Sequence, residues 1–227
     1  MIPGTALKKE VFITGGTGYI GRPLIEALLS RGHEVTALAR AQSASRLPAG
    51  CRPVIGDALD GATYRAYLSP AHTLVQLVGV AHPSPAKARE FVEIDGRSAR
   101  EAIAAAREAP VSHFVYVSVA HPAPVMRAYI EVRSGCESLI REAGLRATIL
   151  RPWYVLGPGH RWPAALVPLY WMAKRVPKFA EGAKRLGLVS LAQMVGALVR
   201  SVEEPPEAMR VLEPAGIREF ARFNSRT

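Results

Sequence analysis

Short runs of β-branched and apolar residues alternate along this chain with longer stretches whose apolar positions recur at helical spacing. Val11-Phe12-Ile13-Thr14 reads as a first strand. Residues 19–30 then predict an amphipathic helix, ended by a basic last turn at Arg31 and by Gly32. Further strands are expected at 33–38, 53–57 and 73–80, the last continuously apolar, as a parallel strand buried on both faces should be. A helix with alanines on its buried side is predicted from Asp95 to Glu108, a fifth strand at 113–119, a helix at 127–143 ended by Gly144, and a sixth strand at 146–150. Strands alternating with helices in this way predict an α/β fold, a doubly wound parallel sheet with helices on both faces.

After Arg151-Pro152 the texture changes. Pro158-Gly159, Pro163, Pro168 and Pro177 interrupt the period, and Trp153, Tyr154, Trp162, Tyr170 and Trp171 concentrate the aromatics. A helix resumes at 188–202 and Met209-Arg210-Val211-Leu212 offers a last strand. The expected organisation is one domain over 1–227: a core at 8–151, an irregular substrate or lid region at 152–187, and a closing helix and strand at 188–227. The strip from Trp162 to Ala173 has no charge over twelve residues and is bracketed by Arg161 and Lys174-Arg175. It fits the wall of an apolar pocket, a peripheral membrane contact or a dimer surface.

Composition removes several classes. Of 227 residues 49% are apolar, enough to offset the entropy of ordering a core. Two cysteines, Cys51 and Cys136, make neither a disulfide framework nor a CxxC pair, so no zinc site is expected, and no metal. No run reaches the ~20 apolar residues of a membrane span, and the start lacks the pattern of a secretory leader, so a cytoplasmic protein is expected. The net charge of +10 is nearly all arginine. It suits nucleic acid, an anionic membrane, a phosphorylated ligand or merely a solvated surface. No nucleic-acid partner is expected, since no basic stripe is interleaved with aromatics and no zinc finger or RNA-recognition signature is present.

Chemistry concentrates where the first strand meets the first helix, at Thr14-Gly15-Gly16-Thr17-Gly18-Tyr19-Ile20-Gly21. In that position Gly15 permits a tight turn, Gly18 lets a diphosphate approach bare backbone, and Gly21 lets helix and strand pack closely. The helix N-terminus adds free N–H groups and partial positive charge. Gly15, Thr17, Gly18, Tyr19, Ile20, Gly21 and Arg22 are therefore expected to hold a dinucleotide. At the end of the second strand, where a carboxylate would select NAD, the sequence has Ala39-Arg40, and no acid follows until Asp57. Arg40 offers a planar fork to a 2′-phosphate and Arg22 a second cation, so NADP(H) is expected over NAD(H). Asp57, ending the third strand, suits either the adenine amino group or a cap on the next helix.

With TGGTGYIG, GDALD, YVSV, Tyr129-Ile130-Glu131-Val132-Arg133 and RPWYVLGPG in order, residues 8–160 resemble the short-chain dehydrogenase/reductase superfamily, most closely its extended and atypical branches. The resemblance implies a Rossmann sheet of about seven strands with a small C-terminal substrate region. It also implies a catalytic tyrosine, a lysine four residues later that holds the nicotinamide ribose, and a serine that orients the substrate oxygen. Tyr129 and Ser118 match two of these, whereas the lysine position holds Arg133, which keeps the charge but cannot shed a proton. Glu137 continues the pattern, and His121 stands as either a further acid/base or a bystander. The expectation is an NADP(H)-dependent oxidoreductase, monomeric or homodimeric, acting on a small or apolar carbonyl or alcohol, with Tyr129 as acid/base, Ser118 orienting the oxygen and Arg133 contacting the ribose. The alternative is a non-catalytic NADP(H)-binding sensor or assembly protein.

Overall fold

Seven of the apolar runs pair into one parallel sheet in the computed structural model, which describes residues 8–68, 73–109, 111–123, 125–158 and 187–222. In chain order the strands are β1 (Glu10–Thr14), β2 (Glu34–Ala39), β3 (Arg52–Ile55), β4 (Thr73–Gln76), β5 (His113–Val117) and β6 (Ala147–Leu150). A short parallel pair follows, β7 (Val155–Leu156) with β8 (Val189–Ser190), and β9 (Met209–Leu212) closes the main sheet. The spatial order is β3-β2-β1-β4-β5-β6-β9. The order reverses between β1 and β4, the place where open α/β sheets leave a crevice at their carboxyl ends.

Alternation along the strands sorts the core into two layers. Val11 and Ile13 point to one face with Val75, Val115 and Leu150, beneath α1 (Gly21–Ser30) and a C-terminal helix at Leu191–Glu203. Phe12, Leu74, Phe114 and Tyr116 point to the other, beneath helices at Arg97–Glu108 and Arg127–Glu142. We label the helices α1, α2 (Ala88–Glu90), α3 (Arg97–Glu108), α4 (Arg127–Glu142), α5 (Leu191–Glu203) and α6 (Pro214–Arg222). Burying both faces explains the near-continuous apolar runs, because each residue of a central parallel strand meets a helix on one side or the other. At the start of α5 the Ser190 hydroxyl accepts the Gln193 N–H at 3.1 Å while the Gln193 side chain accepts the Ser190 N–H at 2.9 Å. This reciprocal cap contributes about 1 kcal/mol.

Two expected elements are corrected. The fourth strand ends at Gln76 and not at Val80, because β1 ends opposite it: Leu77 makes the last backbone bond, to the Thr14 carbonyl. Residues 77–80, apolar like a strand, instead line a cleft. The helix expected to begin at Asp95 begins earlier, at α2, and passes through a π-helical turn, Phe91–Gly96, before α3. Asp95 is buried inside that turn and is no helix cap. The strip 162–173, with most of the 152–187 region, lies outside the described residues.

Candidate active site

The cleft at the switch point has a volume of about 450 Å3 and is built from the loops that follow β1, β2, β3 and β4. Gly15, Thr17 and Gly18 form its edge after β1, Arg40 and Ser43 after β2, Asp57 after β3, and residues 77–81 after β4. Gly15 has φ +75°, and a Cβ there would come within 2.9 Å of the Leu77 backbone. A Cβ on Gly21 would overlap the Gly15 carbonyl oxygen and lie 2.7 Å from the Gly16 Cα. The loop thus folds against the first turn of α1 with no room for a side chain at Gly15 or Gly21. No side chain caps α1 and its first turn holds no acid, so its positive end is left to a ligand. A diphosphate fits this cradle.

The expected cofactor residues divide. Gly15, Thr17, Gly18, Arg40 and Asp57 line the cleft, whereas Tyr19, Ile20, Gly21 and Arg22 do not. Ile20 packs on the core, Gly21 is buried in the turn, and Arg22 is exposed on α1. Tyr19 lies against Gly157, whose Cβ would overlap the phenol oxygen, and burial pushes the phenol's pKa up. Arg40 is exposed on the rim, its carbonyl accepting from the Ser43 N–H at 2.8 Å. The Asp57 carboxylate accepts the Leu59 N–H at 2.9 Å in a local turn, while the next helical turn, Gly61–Thr63, is capped by Asp60, whose carboxylate accepts the Ala62 N–H at 3.0 Å.

The three residues expected to be catalytic lie beyond this cleft and do not form one cluster. Tyr129, half-buried in the first turn of α4, packs on Phe91 with ring centroids 4.8 Å apart. Four residues on, Arg133 has its guanidinium carbon 5.3 Å from the Tyr129 ring centroid. Burial raises the Tyr129 pKa, and the nearby Arg133 charge only partly offsets this. Arg133 itself does not line the cleft. It is buried, donating to the Val117 carbonyl and to Asp95 Oδ1, and its Nη2 lies where a Cβ on Gly79 would stand. Arg133 here forms an internal ion pair, because a buried guanidinium needs a counter-charge and Asp95 supplies one. Burial works against its charge, but the facing Tyr129, Tyr116 and Asp95 outweigh it and hold Arg133 above its ordinary pKa.

Ser118 likewise turns inward. Its hydroxyl donates to Glu137 Oε1 at 2.6 Å. Glu137, only 1% exposed, also accepts from Arg151 Nε at 2.9 Å and from Arg151 Nη2, and Arg151 Nη1 reaches Glu213 at 2.7 Å. Burial would raise the Glu137 pKa, but the hydrogen bonds from Arg151 and Ser118 and the charges of Arg151 and His121 hold it below the ordinary value. His121 Nε2 lies 3.5 Å from the same carboxylate, too far for a good hydrogen bond.

Sequence reasoning missed Asp95 as a functional residue. An arginine expected on the inner face of α4 requires an acid on a facing element, and Asp95 is the first residue of the adjacent alanine-faced segment. A second polar chain meets the same residue. Thr14 donates to Gln76, Gln76 Nε2 to Ser98 Oγ at 3.0 Å, and Ser98 Oγ to the Asp95 carbonyl at 3.2 Å. A buried row of polar groups thus runs beneath the cleft from the end of β1 to the end of β5.

Comparison with known proteins agrees with this architecture. A family model described as NAD(P)H-binding matches residues 15–160. The chain is 28% identical to 3-diazoavenalumate denitrifying reductase of a Streptomyces species, covering 96% of this chain and 81% of that protein. It is 27% identical to a 4-hydroxy-2-methyl-3-oxo-4-farnesyl-3,4-dihydroquinoline-1-oxide ketoreductase of Stigmatella aurantiaca over 65% of this chain, spanning about half (51%) of that relative. WbmH of Bordetella bronchiseptica, solved with NAD+, shares the fold with a TM-score of 0.68 at 20% identity, covering 94% of this chain and 79% of that one. No helix among the described residues is long and apolar enough to cross a membrane. With its parallel sheet, its glycine turn at the switch point and the matched family model over residues 15–160, the chain belongs to the NAD(P)H-binding family.

Proposed function

We propose that the protein is an NADP(H)-dependent reductase of the atypical short-chain type, acting on a small or apolar carbonyl compound. The observation that carries the reading is the cleft itself, which joins an uncapped helix N-terminus, a glycine-rich loop packed tightly at Gly15 and Gly21, and Arg40 on one rim. Gly15, Thr17 and Gly18 would hold the diphosphate, Arg40 and Ser43 the 2′-phosphate, and residues 77–81 the nicotinamide half. When bound, the reduced nicotinamide supplies a hydride to the carbonyl carbon.

Tyr129 then gives its proton to the carbonyl oxygen. A phenol whose pKa is pushed up by burial stays protonated at neutral pH, which suits donation to a developing alkoxide better than abstraction from an alcohol. Ser118 has its own proton committed to Glu137, so it can only accept from substrate, and its main part is to hold the end of β5 in place. Arg133 acts from beneath as a fixed charge.

The test measures NADPH oxidation with a panel of carbonyl substrates, wild type against Tyr129→Phe. Loss of roughly 10²–10⁴ in kcat with the NADPH dissociation constant unchanged is the expected result. Equal rates remove Tyr129 from the mechanism. NADPH binding without turnover on any substrate selects the second reading, a cofactor-binding sensor, which the inward turn of both Arg133 and Ser118 favours.

A further inference from the structure

Among the buried charges, one pair does something that neither the glycine loop nor Tyr129 accounts for. Asp95 is 1% exposed and uses both carboxylate oxygens: Oδ1 takes Arg133, and Oδ2 takes the Val80 backbone N–H at 2.9 Å. Val80 belongs to the loop at 77–81 that lines the cleft. That loop has left the β ladder after Leu77, so its amides lack the strand partners that hold β4. On its far side the Arg133 guanidinium fills the space beneath Gly79 and is anchored in turn to the Val117 carbonyl at the end of β5. The Asp95 main chain is held from the opposite direction by Ser98 and Gln76.

We infer that Arg133 and Asp95 are positioning residues for the nicotinamide half of the cofactor: through the Val80 amide and the floor beneath Gly79, the ion pair fixes the 77–81 loop against which that half lies. This rests on the proposed cofactor function and deepens it. It assigns the arginine at the family's lysine position an indirect task, carried out through Asp95 and the loop and not by touching the ribose. Two features of the pair fit the task. Arginine alone can bond a carboxylate and a carbonyl simultaneously through separate nitrogens of a rigid fork, which lysine cannot match from one point charge. And the glycine at 79 is required by the guanidinium beneath it, since any side chain there would collide with Nη2.

The adenine half of the cofactor lies along other loops, after β2 and β3, which gives a readout that general loss of stability would not produce. Calorimetric titration compares NADPH with 2′,5′-ADP for wild type, Arg133→Lys, Asp95→Asn and Gly79→Ala. In each variant NADPH affinity is expected to fall about tenfold, the worth of one charge-assisted hydrogen bond. The 2′,5′-ADP affinity is expected to stay within about twofold of wild type, which also establishes that the variant is folded. Gly79→Ala removes no hydrogen-bonding group and presses on the guanidinium from the cleft side, so it keeps the test alive if a charge variant does not fold. Arg133→Lys and Asp95→Asn combined are expected to lose no more than the worse single change, since the two act as a unit. Equal weakening of NADPH and 2′,5′-ADP, or no change in either, overturns the inference while leaving the cofactor function standing. Failure of the wild-type protein to bind NADPH at all overturns the cofactor function, and this inference with it.

Discussion

Replacing Glu137 by glutamine should destabilise the protein at neutral pH and leave it little changed in acid. The carboxylate is buried and collects three donors from Arg151 and Ser118, with Arg141 Nη2 at 3.3 Å as a fourth. Removing one charge of a buried pair typically costs about 3–5 kcal/mol, because the partner is left uncompensated. Here Arg151 is partly exposed and keeps Glu213, and glutamine keeps one acceptor oxygen, so the lower end, about 3 kcal/mol, is expected. For a chain of this size that corresponds to a fall in Tm of roughly 6–12 °C. The pH dependence follows from the depressed pKa. The unfolded carboxyl titrates near its ordinary 4.5 and the folded one lower, so the stabilisation is complete above about pH 5 and is lost as the pH falls through the folded value. His113 complicates the absolute curve: burial lowers it to about 3, so it also costs stability as the pH drops below 6.5. That loss is common to both proteins, and the difference between them isolates Glu137. Thermal denaturation of wild type and Glu137→Gln from pH 8 to pH 3 is the assay. A gap absent at pH 7, or one that fails to narrow on acidification, refutes the argument.

Arg40→Asp should weaken NADPH roughly thirtyfold and NADH less than about twofold, the loss of a solvent-screened charge-assisted contact to the 2′-phosphate, read by calorimetry. Equal losses for the two cofactors would show that Arg40 does not face that group. Gly21→Ala forces a Cβ into the Gly15–Gly16 backbone and should lower Tm by several degrees and NADPH affinity by at least about tenfold. Gly135→Ala, exposed in mid-α4 with open space around its Cβ, should raise stability by about 0.5–1 kcal/mol in the same denaturation experiment. A Gly21→Ala protein as stable as wild type would contradict the tight packing of the turn.

The fold was legible because each strand of the seven-stranded sheet carries its own local signal, whereas the two-residue strands β7 and β8 are too short to carry one, and β8 falls where a helix is expected from 188. β1, β5 and β9 stand where apolar β-branched runs are bounded by turns, and Gly32 and Gly144, with φ +83° and +65°, end their helices as the sequence implies. The glycine turn at the edge of the cleft was legible for the same reason, since strand, glycines and helix are contiguous. What was hidden depends on partners far apart in the chain. An apolar run does not announce where its neighbour stops, so the end of β4 was overextended into the loop at 77–80. Arg133 and Asp95 lie 38 residues apart and Glu137 and Ser118 19 apart, and only the packing of α4 on the sheet brings them together. An arginine at a lysine position reads as a retained charge, while in this structure its length carries it to the Asp95 carboxylate.

The π-helical turn at Phe91–Gly96 has a consequence for how this segment tolerates change. With its extra residue per turn it brings Phe91 and Gly96, five positions apart, onto the inward face that Asp95 also occupies, the first against Tyr129, the second against α4 and Asp95 onto Arg133. Val92, on the outer side, is 51% exposed. Exchanging it for another residue alters little, and excising it returns the coil to regular pitch with Phe91 three places before Asp95 and four before Gly96, spacings that still share one face of an α-helix. A single-codon deletion, which in a regular helix would swing everything downstream by about 100°, is here absorbed by the spare residue of the turn.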